Sequence, residues 1–191
     1  YVPPRGADPE LGKPTLEPRI PYTPQAQTQP PMKLGLHVGA TLTVDQALKA
    51  VIIKSANDVA VAVAEYLGGT EAQFAQMMTA KARQLGMRGT TFKNASGLPD
   101  DQQRTTARDM ALLGMALRRR FPAHYAYFSG TSFAYNGRTI RGHNDLIEEV
   151  EGVDGIKTGY IRASGYNIVT SVNRGGRRMV VFIEGETLKA R

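Results

Sequence analysis

The spacing of apolar residues predicts helices through the first half of the globular region. Apolar residues recur at helical spacing from Val44 to Ile52, directly after a capping-box pair formed by Thr43 and Gln46. The stretch Ser-Ala-Asn-Asp at residues 55–58 then interrupts the apolar run. Because Asn and Asp are favoured at helix starts, the break predicts the start of a second helix, which ends at Gly68-Gly69.

Two more helices are predicted after this pair. Thr70 and Gln73 form another capping box, ahead of a helix that Gly86 ends. A polar loop follows, and the apolar spacing then predicts a helix from Thr106 to Phe121. The sequence therefore predicts four helices in succession.

The hydrophobic period changes to two after these helices. Asn136-Gly137 is a hairpin signal, and two β-rich runs, YNIVTSVN and RRMVVFIEG, are joined by a turn that contains Gly175-Gly176. Helices followed by antiparallel strands predict an α+β fold in which a helical cluster packs on an antiparallel sheet.

The N-terminal region has a different composition. Residues 1–31 hold nine of the eleven prolines, interleaved with Gln and Thr. This pattern predicts an extended segment without helices. We therefore expect a Pro-rich arm over residues 1–32 and a folded domain over residues 33–191.

Composition excludes several kinds of site. With 41% hydrophobic and 21% charged residues, the chain has the composition of a soluble globular protein. Because it has no cysteine, it has no disulfides, thiolate nucleophile or cysteine-ligated zinc. The three histidines stand alone, without ligand spacing, so no metal site and no cofactor are expected.

The net charge of +7 raises the question of a nucleic-acid partner. The densest basic run, Arg118–Arg120, falls in the last turn of a predicted helix, where cations favour the helix dipole. The acidic group at residues 148–154 is expected to be a solvated loop. No nucleic-acid partner is predicted.

Two short motifs are candidates for chemistry. At average residue frequencies, a triplet such as Ser55-Ala56-Asn57 is expected by chance in roughly one of two chains of this length, and Lys157-Thr158-Gly159 in about one of twenty-five. The second motif is thus the more specific. It also opens an extended run in the predicted sheet region.

Both motifs occur in the penicillin-recognising serine acyltransferases, in this chain order after a Ser-x-x-Lys nucleophile motif. The segments LTVDQALKAVIIKSANDVAVAVAEYLGG, LGMRGTTFKNASGLPD and VDGIKTGYIRASGYNIVTSVNRGGRRMVV resemble the low-molecular-mass penicillin-binding proteins. These are serine-type D-alanyl-D-alanine carboxypeptidases. The resemblance covers roughly residues 33–185 and implies a transpeptidase-like domain of the β-lactamase superfamily. It also implies peptidoglycan stem peptides and β-lactams as partners.

The resemblance assigns a role to each motif residue. Ser55 would relay a proton near the nucleophile, Asn57 would bind a substrate amide, and Lys157 would supply positive potential. These three residues are the predicted catalytic set.

The same resemblance assigns the residues that would bind substrate. Thr158 would bind the terminal carboxylate, and the strand through Gly159 would pair with the substrate as an added β-strand. The Tyr160 backbone N–H would donate to the oxyanion. Arg178 aligns with a family arginine that would sit near the carboxylate, although a register shift of one would place Arg177 there instead.

The expected nucleophile motif is absent, because no Ser-x-x-Lys occurs in the 191 residues. We predict that the chain is a fragment lacking the family's N-terminal part and is inactive by itself. It would need the missing segment or a second copy. The alternatives are a natural relative that binds peptidoglycan without catalysis and a β-lactamase of the same superfamily. The resemblance also implies export to the periplasm or cell envelope, with any membrane anchor outside this chain.

Overall fold

The computed structural model describes residues 18–186, together with the backbone of Gly6–Ala7 and Pro14–Thr15. The four predicted helices are present, after one short helical turn and before another. The helices are α1 (Pro24–Gln27), α2 (Val44–Ile52), α3 (Asn57–Gly68), α4 (Glu71–Gln84), α5 (Ala107–Arg120) and α6 (Leu146–Glu149), with a 3-10 helix at Pro122–Ser129. No helix among the described residues has the length and apolar character that a membrane span requires.

The strands are antiparallel throughout the described residues. They are β1 (Gly6–Ala7), β2 (Pro14–Thr15), β3 (Arg19–Pro21), β4 (Thr41–Thr43), β5 (Ser132–Tyr135), β6 (Arg138–Arg141), β7 (Val153–Ile161), β8 (Gly165–Arg174) and β9 (Arg177–Glu186). The main sheet has the order β7-β8-β9, and the other strands form two-stranded pairs. The Asn136-Gly137 turn has positive φ at both residues and joins β5 to β6, as the sequence predicts. The predicted α+β class is confirmed.

Among the described residues, two apolar clusters join the helices to the strands. The larger one gathers buried residues of α2 and α3 with the β3–β4 pair, where Ile20 lies opposite Leu42. The second joins α5 and the 3-10 helix to the main sheet around Ile156 and Val169. Gly114 lets α5 come close to the sheet, because a Cβ at this position would lie 2.9 Å from the Ile156 Cδ1 atom. Ile156 precedes Lys157, so this packing helps to place the motif strand.

The N-terminal region differs from the expected arm. Residues 24–27 form a helical turn, so the prediction of a helix-free segment is wrong there. Ile20, Tyr22 and Ala26 are buried in the larger cluster. Residues 18–31 therefore pack into the folded unit, with Pro24 at the first helical position, where proline is well tolerated. For most of residues 1–17, which lie outside the described residues, the arm stays a prediction.

Candidate active site

Ser55 lies in a tight connection between α2 and α3. Its φ is 57°, in the left-handed region that a non-glycine residue seldom adopts. The backbone N–H of the next residue, Ala56, donates to the Ala50 carbonyl oxygen over 3.1 Å and closes the turn. Strained backbone of this kind is often found at functional sites, because the surrounding structure must hold it in place.

The turn brings Ser55 to the second motif. The Lys157 ammonium donates to the Ser55 hydroxyl oxygen, which joins residues 102 positions apart in the chain. The same ammonium donates to the Thr158 carbonyl oxygen over 2.9 Å. Two of the three predicted catalytic side chains are thus in direct contact.

Lys157 carries its charge in a poorly solvated position. Burial lowers the pKa of Lys157 from its ordinary value to about 8, since removal of water disfavours the charged form. No carboxylate contributes to this shift. The pKa therefore lies near neutral pH, so that Lys157 can change its protonation state under mild conditions.

Asn57 is held by the N-terminal region. Its side-chain amide nitrogen donates to the carbonyl oxygens of Pro30 and Pro31 over 3.1 and 3.2 Å, and its backbone N–H donates to the Met32 carbonyl oxygen over 2.8 Å. These bonds use the nitrogen end of the amide. The predicted role of Asn57, binding of a substrate amide, would use the oxygen end.

Asp58 holds the N-terminal region against the start of α3. Its buried carboxylate accepts bonds from the Tyr22 hydroxyl over 2.8 Å and from the backbone N–H groups of Leu34 and Gly35 over 3.0 and 2.8 Å. α3 begins at Asn57, as predicted, but its N-cap is Ala56 and no side chain caps it. Besides residues 22, 34 and 35, the Asp58 carboxylate binds the first turn of α3, where it accepts a bond from the Val59 backbone N–H over 2.8 Å.

The substrate-binding residues predicted on β7 lie at an edge of the main sheet. Thr158, Gly159 and Tyr160 pair with β8 on one side, and no described strand pairs with the other side of β7. Gly159 is exposed, and a Cβ there would meet no atom within 4 Å. An extended peptide has room to lie along this edge.

Arg178 is not brought to Thr158. In the sheet register Arg178 lies opposite Asn173, whereas Thr158 lies opposite Ile168 and, on the next strand, Ile183. Five residues of β9 separate the two levels, which is ~17 Å along an extended strand. The Arg178 guanidinium instead donates to the Asp154 carboxylate over 2.5 Å and to the Ser171 hydroxyl over 2.9 Å.

Asp154 also departs from its sequence-based interpretation as part of a solvated loop. It lies on β7 and accepts a bond from Arg118 at 3.4 Å as well as from Arg178. Arg118 in turn lies over the Tyr125 ring, 5.0 Å from its centre. The start of the Arg118–Arg120 run therefore serves to attach α5 and the 3-10 helix to the sheet.

Two residues beside the motifs escaped the sequence analysis. A narrow cleft, here called the Lys157 cleft, is lined by α2, the 3-10 helix, the segment after β6 and the middle of β7. Its polar side chains are His143, Asn144, Lys157 and Thr158. Burial and the nearby Lys54 and Lys157 charges lower the pKa of His143, and Asp145 opposes that shift. No motif marks either residue, so only the fold places them here.

The described residues offer no evident place for a metal ion. They contain no cluster of three or more His, Asp or Glu side chains in a ligating arrangement.

Known proteins with similar sequences were found by comparison. A family model described as D-alanyl-D-alanine carboxypeptidase matches residues 20–187. The D-alanyl-D-alanine carboxypeptidase DacA of Escherichia coli is 35% identical over 158 residues, which are 82% of this chain and 39% of the relative. The match confirms the predicted family.

Solved structures give the same result. The D-alanyl-D-alanine carboxypeptidase DacD of Francisella tularensis is 26% identical, with a TM-score of 0.86 over 89% of this chain and 54% of that one. Penicillin-binding protein D2 of Listeria monocytogenes, in its ampicillin-bound form, is 28% identical, with a TM-score of 0.73 over 88% of this chain and 69% of that one. The chain thus has the predicted penicillin-binding fold and spans well under two thirds of its first sequence relatives.

Proposed function

This chain belongs to the D-alanyl-D-alanine carboxypeptidase family, and from that premise we propose that it forms part of a serine-type carboxypeptidase that removes the terminal D-Ala of peptidoglycan stem peptides. The contact between the Lys157 ammonium and the Ser55 hydroxyl carries the proposal. It joins two motifs that are far apart in the sequence into one polar centre.

The proposed centre uses each group for one task. Lys157 holds a positive charge and orients the Ser55 hydroxyl, which relays a proton between the attacking serine and the leaving amine. The Asn57 amide oxygen accepts a bond from a substrate N–H. The Tyr160 backbone N–H donates to the oxygen that becomes negative when the peptide carbonyl is attacked.

The edge of β7 supplies the binding surface in this proposal. A stem peptide adds to Thr158–Tyr160 as an extended strand, and its terminal carboxylate lies near the Thr158 hydroxyl. A β-lactam carries a comparable amide and carboxylate and occupies the same groups. Arg178 is 2.5 Å from Asp154 and takes no part in this carboxylate site.

The attacking serine comes from outside these 191 residues, since they contain no Ser-x-x-Lys. We place that motif on a complementing segment outside these 191 residues. The main sheet offers surface for such a segment, because the side chains of Tyr160, Tyr166, Met179 and Ile183 are exposed on it. The substrate is a cell-wall peptide, and the proposed location is accordingly the periplasm or cell envelope.

Labelling with a fluorescent penicillin, followed by intact-mass measurement, tests the function. The 191-residue chain and the longest polypeptide encoded by its gene are compared. We expect one covalent penicillin adduct on the longer protein and none on the chain alone. Reversible binding without an adduct on either would favour a non-catalytic relative, and rapid turnover of the penicillin would favour a β-lactamase.

The pKa of Lys157 predicts how ligand binding depends on pH. Below pH 8 the ammonium is charged and attracts the carboxylate of a peptide ending in D-Ala-D-Ala; above pH 8 this charge is lost. The charged fraction falls by about tenfold between pH 7 and pH 9, and we expect affinity to fall by up to the same factor. His143 does not contribute to this pH dependence, because burial lowers its pKa further below the range from pH 7 to pH 9.

Titration calorimetry of this peptide with the chain and with Lys157→Met measures the effect. The variant should bind more weakly at pH 7 and show no further loss at pH 9. An equal pH dependence in the two proteins would exclude Lys157 as its source.

A further inference from the structure

Asn144 lies beside the catalytic centre with an unused amide. Both its side-chain nitrogen and its side-chain oxygen are buried, and neither has a hydrogen-bond partner within the described residues. Buried amide groups in folded proteins are nearly always bonded. An exception next to a catalytic lysine therefore requires a physical reason.

The Lys157 ammonium has one N–H group without a described partner. An ammonium has three N–H donors, and the Ser55 hydroxyl and the Thr158 carbonyl take two of them. Asn144 and Lys157 both line the Lys157 cleft. An acceptor and a donor without partners thus border the same narrow space, in which one ordered water would have two or more polar neighbours.

The charges around Asn144 determine which way its amide points. On the side of the Lys157 cleft it faces Lys157 and His143, with Lys54 close by. On its other side is a second cleft that is lined by Arg141, Asp145 and Glu148. The Lys157 charge favours the amide oxygen on the side of the Lys157 cleft. Asp145 and Glu148 favour the amide nitrogen on the side of the second cleft, where Arg141 has the opposite effect.

We propose that Asn144 is a positioning residue for Lys157, whose third ammonium N–H it accepts through one ordered water. With all three N–H groups bonded, the ammonium cannot rotate away from Ser55. The inference rests on the proposed role of the Lys157–Ser55 pair. It adds to the site a residue that no motif marks.

The remaining charged groups near Lys157 do not provide this bond. Asp154, three residues earlier on β7, is already paired with Arg178 and Arg118. Lys54 has no acceptor when charged, and His143 has a single acceptor, one ring nitrogen of its neutral form. Among the described residues that line the cleft, Asn144 is the one whose side-chain acceptor is buried and without a partner.

Two substitutions of opposite effect test the proposal. Asn144→Asp places a carboxylate next to the ammonium and should raise the Lys157 pKa by about one unit or more, since an opposite charge at this range favours the charged form. Asn144→Leu has a similar size but no acceptor, and should lower it. Asn173→Asp is the matched control, because it adds the same charge at an exposed position of β8.

The measurement is an NMR titration of the lysine side-chain signals in the folded protein, with Lys157 assigned from its loss in Lys157→Met. It requires neither penicillin nor turnover, so its failure is distinct from failure of the proposed enzyme activity. Equal shifts in Asn144→Asp and Asn173→Asp would overturn the proposal, as would an unchanged Lys157 pKa in a folded Asn144→Leu. If the leucine variant does not fold, the two aspartate variants decide.

Discussion

Lys157→Met should slow covalent labelling by penicillin by roughly 10²- to 10⁴-fold, the range expected when a group that assists proton transfer is removed. Methionine matches the length of the aliphatic part of the side chain, but it removes the donor to Ser55. The experiment uses the form of the protein that supplies the Ser-x-x-Lys nucleophile. The rate of adduct formation is followed by fluorescence at several penicillin concentrations, which separates binding from acylation.

Lys54→Met is the matched control for this variant. Lys54 is close enough to affect the pKa of His143, yet Lys157 is the lysine that donates to Ser55. We expect less than a threefold loss in the control, because a neighbouring charge without a bond at the reacting centre contributes little. Labelling of Lys157→Met at the rate of the unaltered protein would exclude a catalytic role for the lysine.

The sequence alone predicts most elements because each has a local signal. Thr43 and Gln46 form both bonds of the capping box, and Gly69 has the positive φ of a helix end. Local signals fail in the N-terminal region. Ile20 and Tyr22 belong to a strand and turn too short for a visible period, and the surrounding prolines suggest an extended arm.

The site depends on contacts that spacing does not reveal. The triplet Ser-x-Asn occurs twice, at Ser55 and at Ser171, and only the fold distinguishes them. Ser171 is buried on β8 and accepts a bond from Arg178, whereas Ser55 meets Lys157. The family resemblance selects the triplet at Ser55, which contacts Lys157, whereas its alignment of Arg178 depends on the register along β9. His143 and Asn144 belong to no sequence motif. Only the path of the β6–β7 connection places them beside Lys157.

Substitution of Asp58 should have the second large effect, on stability, because Asp58 connects the turn at Ser55 to the N-terminal region. Asp58→Ala should lower the free energy of unfolding by roughly 3 kcal/mol or more, since it leaves the Tyr22 hydroxyl and the Leu34 and Gly35 N–H groups without their charged acceptor. Urea unfolding followed by circular dichroism measures the loss. Asp45→Ala is the control, because that carboxylate is exposed; it binds Lys49 and the Tyr127 hydroxyl at the surface, so a smaller loss is expected.

A second variant separates the contribution of Asp58 to stability from its effect on the site. Tyr22→Phe removes one donor and leaves the carboxylate bonded to the two backbone N–H groups, so it should cost only about 1 kcal/mol. In the double variant Tyr22→Phe, Asp58→Ala, the loss should be smaller than the sum of the two single losses, because the same bond is removed in both. Additive losses would show that Tyr22 and Asp58 act independently. The Pro30 and Pro31 carbonyl groups, which accept bonds from Asn57, would then not depend on the Tyr22–Asp58 hydrogen bond for their position.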